Sequence, residues 1–136
     1  MMSRASIIAR LLAGMTMAGG AACHSTTDTA SADFTIRVDS ITGPNAVSGG
    51  IAANAYLWGA VGSNGCTRFK ELRTARATSQ IDVAVVGERV PGASCLAGTA
   101  SLEGIVLRLE PPILYNFLIV VHQPDGSMLT RRIYGE

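Results

Sequence analysis

The chain has 136 residues, enough for one compact domain, and its charged share of 15% against a hydrophobic share of 48% argues against a disordered, solvating chain. Its formal net charge is +1, and setting aside Arg4 and Arg10 leaves the remainder close to neutral, without the cationic excess that a nucleic-acid partner demands. Basic residues are almost all arginine, with Lys70 the only lysine.

Residues 1–22 begin with Arg4 and Arg10 and continue as an uncharged run of apolar and small residues from Leu11 to Ala22, the layout of a secretion signal peptide. The run is too short for a membrane anchor, which needs about 20 apolar residues. Residues 23–32 follow as a polar, small-residue stretch, His24 to Ala32, suited to a flexible tether. The folded domain is expected over residues 33–136.

Within that domain the apolar period is two almost everywhere. Phe34, Ile36 and Val38 alternate with Thr35, Arg37 and Asp39, which predicts one half-buried strand closed by the turn residues of Thr42-Gly43-Pro44-Asn45. From Ala46 to Gly62 the chain is rich in Gly and Ala and reads as one or two strands broken near Gly49-Gly50. Cys66 to Arg76, with Phe69 and Leu72 among charges, fits a helix or a strand. It is assigned as a strand because Ile81, Val83 and Val85 form a clear one, and Ala77 to Gln80 is the length of a hairpin loop.

Ile105, Leu107 and Leu109 alternate with Val106, Arg108 and Glu110 before Pro111-Pro112 ends the strand. Tyr115, Phe117, Ile119 and Val121 alternate with Asn116, Leu118 and Val120, and Gln123-Pro124-Asp125-Gly126 turns the chain into a last strand from Met128 to Ile133. Six or seven short strands with turn signals between them predict an all-β, antiparallel sandwich. The order resembles the Ig-like and fibronectin-like sandwich domains of bacterial envelope proteins, in architecture alone. Cys66 and Cys95 are too close in sequence, and Trp58 precedes both, so the Cys, Trp, Cys arrangement of antibody domains is absent.

The end of the leader, Gly20-Ala21-Ala22-Cys23, resembles the lipobox of bacterial lipoproteins, in which the cysteine is lipidated and becomes the mature N-terminus. The resemblance implies a membrane anchor at Cys23, and His24, in place of the aspartate associated with inner-membrane retention, favours the outer membrane. The alternative is ordinary cleavage after Ala21 or Ala22 with no lipid. If Cys23 carries lipid, the other two of the three cysteines, Cys66 and Cys95, remain as a pair for a disulfide in an oxidising compartment. Pairing about residue 78 sets Cys66 opposite roughly residue 90, and Pro91-Gly92 turns the chain so that Cys95 comes within bonding reach.

Candidates for chemistry are few. His122, Asp125 and Ser127 carry the residue types of a hydrolytic triad, but they fall in one tight hairpin, where a solvated turn is the expected reading. Ser94 misses the nucleophile-elbow pattern because Leu96 stands where glycine is needed. One histidine and scattered carboxylates fit no zinc or calcium spacing, so no metal or other cofactor is expected.

Arg68, Lys70, Arg73 and Arg76, with Arg37, Arg131 and Arg132, form either a basic strip or ordinary solvated strand faces, the latter being expected. Trp58 and Tyr56 would make an aromatic platform for sugar or peptide if exposed, but in a chain with seven aromatic residues they are assigned to the core. The function expected is that of a non-enzymatic, lipid-anchored envelope protein, with its lipid in the membrane and an envelope protein or polymer as partner. The alternatives are a small secreted hydrolase using His122, or a protease inhibitor acting through the 90–96 loop.

Overall fold

The structure is a computed structural model that describes residues 32–91, 95 and 97–136; the expected signal (residues 1–22), Cys23 and nearly all of the expected tether lie outside them. Nine strands follow in chain order: β1 Ala32–Thr35, β2 Arg37–Thr42, β3 Ala46–Val47, β4 Ala53–Asn64, β5 Thr67–Arg76, β6 Gln80–Arg89, β7 Ala97–Leu109, β8 Phe117–His122 and β9 Met128–Gly135. Among the described residues there is no helix, and the fold is all-β as expected. β2, β4 and β7 form a three-stranded sheet, and the other strands form a six-stranded one. β5 lies on one side of β6, and β1 and β8 share the other before the sheet continues through β9 to β3. Ala55, Leu57, Leu107 and Leu109 of the small sheet meet Val83, Val85, Phe117 and Ile119 of the large one in a single buried cluster.

The first alternating run is not one strand. Phe34, Ile36 and Val38 do face inward, but the run breaks at Ile36, so that β1 pairs with β6 in one sheet and β2 with β4 in the other. Ile36 donates its N–H to Val85 O at 2.8 Å and buries its side chain at the crossing. Gly87 makes room for it, since a Cβ there would stand 2.7 Å from Phe34 Cζ and 2.9 Å from Ile36 Cγ1.

Two pairings are parallel, β6 with β8 and β3 with β9, which corrects the wholly antiparallel expectation. The reason is topological. The chain leaves the large sheet after β6, runs back along the small sheet as β7 and returns beside β6 as β8, so β6 and β8 point the same way. β8 also reads as a central strand, because Phe-Leu-Ile-Val-Val is apolar without a break and Val120, on the outward phase, is still buried between its neighbours.

The β5–β6 hairpin has the expected register: Thr67 faces Arg89, Arg76 faces Ile81, and Val90 N–H bonds Cys66 O at 2.8 Å. Cys66 and Cys95 form the disulfide, with Cα atoms 5.1 Å apart. It joins two of the places where the chain changes sheets, between β4 and β5 and between β6 and β7.

β2 is an edge strand of the small sheet, and side chains cover its open side. Gln123, buried after β8, accepts from Val38 N–H through Oε1 at 3.0 Å and donates from Nε2 to Val38 O at 2.8 Å, satisfying both backbone groups of that residue as a neighbouring strand would. Farther along, Arg131 of β9 donates to Ile41 O at 3.1 Å and to Gly43 O at 2.5 Å. An edge capped in this way is closed to pairing with another chain.

Replacing both cysteines (C66A/C95A) reopens a loop spanning 29 residues. In the chain-entropy account this removes about 3–4 kcal/mol of stability. Urea unfolding of the oxidised protein and the double variant, compared at their midpoints, measures the loss.

Candidate functional site

The residues suggested as a triad are not brought together. Asp125 accepts from Ser127 Oγ at 2.6 Å, from Ser127 N–H at 2.9 Å and from Arg37 Nη1 at 3.1 Å, whereas His122 Nε2 lies 3.0 Å from Asp82 Oδ1 on β6. Asp82 also accepts from Gln80 Nε2 at 2.8 Å; this bond first, and His122 second, hold its carboxyl below the ordinary carboxylate range. His122 and Asp82 share a shallow depression of about 240 Å³ on the outer face of the large sheet with Arg73, Thr74, Ala75, Val83 and Ala84. Its lining holds no serine or cysteine. Among the described residues no group of three histidine, cysteine or acidic side chains is placed to hold a metal ion.

The basic residues do not combine into one cationic strip. Lys70 and Arg73 converge on Asp33, at 2.7 and 3.3 Å, and the Lys70 hydrogen bond is the main cause of that carboxyl's lowered pKa. Arg68 pairs with Glu88 at 2.5 Å, and Arg76 donates to Pro112 O while its guanidinium sits 4.8 Å from the centre of the Phe117 ring. Arg37 pairs with Asp125 and Asp39. Arg131 is committed to the carbonyls beside β2, and Arg132 lies exposed on β9. These pairs dissipate the field that a polyanion would need.

The outer face of the small sheet carries the aromatic residues assigned above to the core. Tyr56 and Trp58 point outward from β4 at 38% and 41% exposure, and Ala55 and Leu57 take the inward positions. Thr42, Tyr56 and Val106 stand in one row across β2, β4 and β7, and Ser40, Trp58 and Glu103 in the next.

The Trp58 indole is held at both ends. Its Nε1–H donates to Thr42 Oγ1 at 2.9 Å on β2, and its six-membered ring lies over Gly104 on β7, where a Cβ would come within 3.1 Å of both Cζ2 and Cη2. Gly104 has φ +67, a backbone conformation that side chains rarely adopt, and marks a bulge in β7. The bulge shifts the phase of the strand, so Leu102 before it and Leu107 after it, five positions apart, both face inward.

The loop considered as an inhibitory segment joins β6 to β7; residues 92–94 and 96, including Ser94, lie outside the described residues. Thr42 reads in the sequence only as the start of a closing turn, whereas it ends β2, and Gly104 is not singled out; neither carries a sign of its role. Only the strand register brings a hydroxyl and a bare Cα to the two ends of one indole. No family model, curated protein or solved structure matches the chain.

The Asp125 carboxyl is held down to about 2, from an ordinary 3.8, by the Ser127 hydroxyl and N–H and then by Arg37. A carboxyl depressed in the folded state stabilises it fully above pH 3.8, and that contribution is lost as the pH falls toward 2. Asp125→Asn is expected to melt below the wild type at neutral pH, with the gap closing across this window. Thermal melts of both proteins at stepped pH measure it.

Proposed function

We propose that the protein is a non-enzymatic cell-envelope binding module, exported by residues 1–22, anchored in a membrane through lipid on Cys23 and presenting its domain to another envelope component. The observation that carries the reading is the Cys66–Cys95 disulfide. Such bonds persist in oxidising compartments, and this one accounts for two of the three cysteines. The odd one is Cys23, which directly follows Gly20-Ala21-Ala22.

A binding role fits an outward-facing aromatic surface better than the hydrolytic alternative fits His122, which is fastened to Asp82 while Asp125 and Ser127 bond each other. The Ig-like reading of the sandwich is supported by the separate β2-β4-β7 sheet and by the β8–β9 hairpin in the facing one. The parallel β6–β8 pair is its departure from that pattern. The outer membrane is the proposed anchor site.

Intact mass of the natively produced protein, taken from the membrane fraction with free thiols alkylated before and after reduction, tests this directly. The expected species begins at Cys23, carries diacylglyceryl and gains two alkylatable thiols only on reduction. An unmodified chain in the soluble fraction contradicts the anchor.

A further inference from the structure

The outer face of the small sheet holds three exposed apolar side chains, Tyr56, Trp58 and Val106, within a polar surround. Trp58 is fastened to β2 at one end and β7 at the other, yet 41% of it stays exposed. The indole is therefore set across the sheet before any ligand arrives, and its immobilisation is no longer a cost of binding.

Size and charge narrow the occupant. A stable protein partner or second copy engages about 20–30 residues a side around an apolar centre, and three apolar side chains make a small centre for one of that size. The cations around it are already paired locally, Arg108 with Glu110 and Arg37 with Asp39 and Asp125, and Glu103, which accepts from Ser101 Oγ, keeps its negative charge. With its arginines paired and the Glu103 carboxylate left over, the face has no complement for an anionic headgroup or an anionic polymer.

What remains complementary is a small, uncharged ligand with one apolar face and a hydroxyl rim. The negative π face of an aromatic ring attracts weakly positive C–H bonds, and one side of a pyranose ring presents them. Ser40, Thr42, Asn54 and Glu103 lie in the same rows or beside them and offer partners for the hydroxyl groups. Tyr56 stands two residues from Trp58, about 7 Å along the strand, a distance suited to the next unit of a sugar chain.

We infer that the outer face of the β2-β4-β7 sheet binds a neutral oligosaccharide, with one pyranose ring stacked on Trp58 and its neighbour on Tyr56. The inference rests on the binding-module reading above and gives the partner its chemistry. It does not depend on the lipid.

Trp58 is the only tryptophan, so its emission reports on this face alone. The experiment titrates the full chain with cellohexaose, chitohexaose and maltohexaose, following emission and, in parallel, heat. At least one of them is expected to shift the emission saturably, with a Kd between about 10 μM and 1 mM. By calorimetry, Trp58→Ala weakens that binding by about tenfold or more. Thr42→Val keeps the indole but unties it, and weakens binding by about two- to tenfold.

Circular dichroism establishes that each variant is folded; if Trp58→Ala is not, Thr42→Val and Tyr56→Ser carry the test. Three silent sugars overturn the proposal, as does undiminished binding by the folded variants. An emission shift with phosphatidylcholine vesicles in place of the sugars also overturns it, by making the face a lipid contact. Silent sugars together with diacylglyceryl on Cys23 would refute the ligand and leave the envelope anchor standing; bound sugar on an unlipidated chain would do the reverse.

Discussion

Three strands have to cover a core built on six, and the constraint is met at the margin of the small sheet, where the backbone N–H and C=O of Val38 are both satisfied by the side chain of Gln123. Both groups would otherwise be orphaned at an edge, each at a cost of about 1–3 kcal/mol if buried. Because Gln123 follows β8, the bond pins an edge of one sheet to the centre of the other. Arg131 repeats the device farther along β2. The crossing at Ile36 and the disulfide fasten the small sheet through the chain itself, and each ties it to a neighbourhood of β6.

That fastening has consequences on the outward side. Packing Ala55, Leu57, Leu107 and Leu109 against the large sheet leaves Tyr56, Trp58 and Val106 no choice but solvent, because side chains alternate along a strand. Thr42 then stands at the end of the indole that Gly104 does not reach. The flat aromatic face is thus a product of the same register that closes the core, and a slip by one residue would bury it.

Much of the architecture was legible in the sequence. The centre of the β5–β6 hairpin and the β8–β9 turn follow from local signals, because each joins residues whose separation is set by a single turn, and the Cys66–Cys95 pair follows from that hairpin together with the turn signal of Pro91-Gly92. What was hidden depends on non-local pairing. Ile36 continues an unbroken alternation, and only the crossing of the chain above Gly87 divides it between two sheets.

The start of β7 is poor in large apolar residues, and the bulge at Gly104 scrambles its phase, so the strand reads as beginning near Ile105 when it begins at Ala97. The site suffered from a simpler ambiguity. In Ala55-Tyr56-Leu57-Trp58 every position is apolar, so either phase could face the core, and the larger rings were given the interior. The neighbours on β7 decide otherwise, since Ala55 and Leu57 pair with Leu107 and Ile105, whose phase is inward. His122 and Asp82 meet across a parallel pairing and 40 positions, beyond any local pattern.

The central claim is that the small sheet is fastened to the large one through a side chain at an otherwise open edge. Hydrogen exchange of the Val38 amide under native conditions, resolved by NMR, tests it most directly. The account predicts protection comparable to the paired amides of β4, falling to that of a free edge in Gln123→Ala. Fast exchange of Val38 in the wild type, or protection untouched by that substitution, would contradict it.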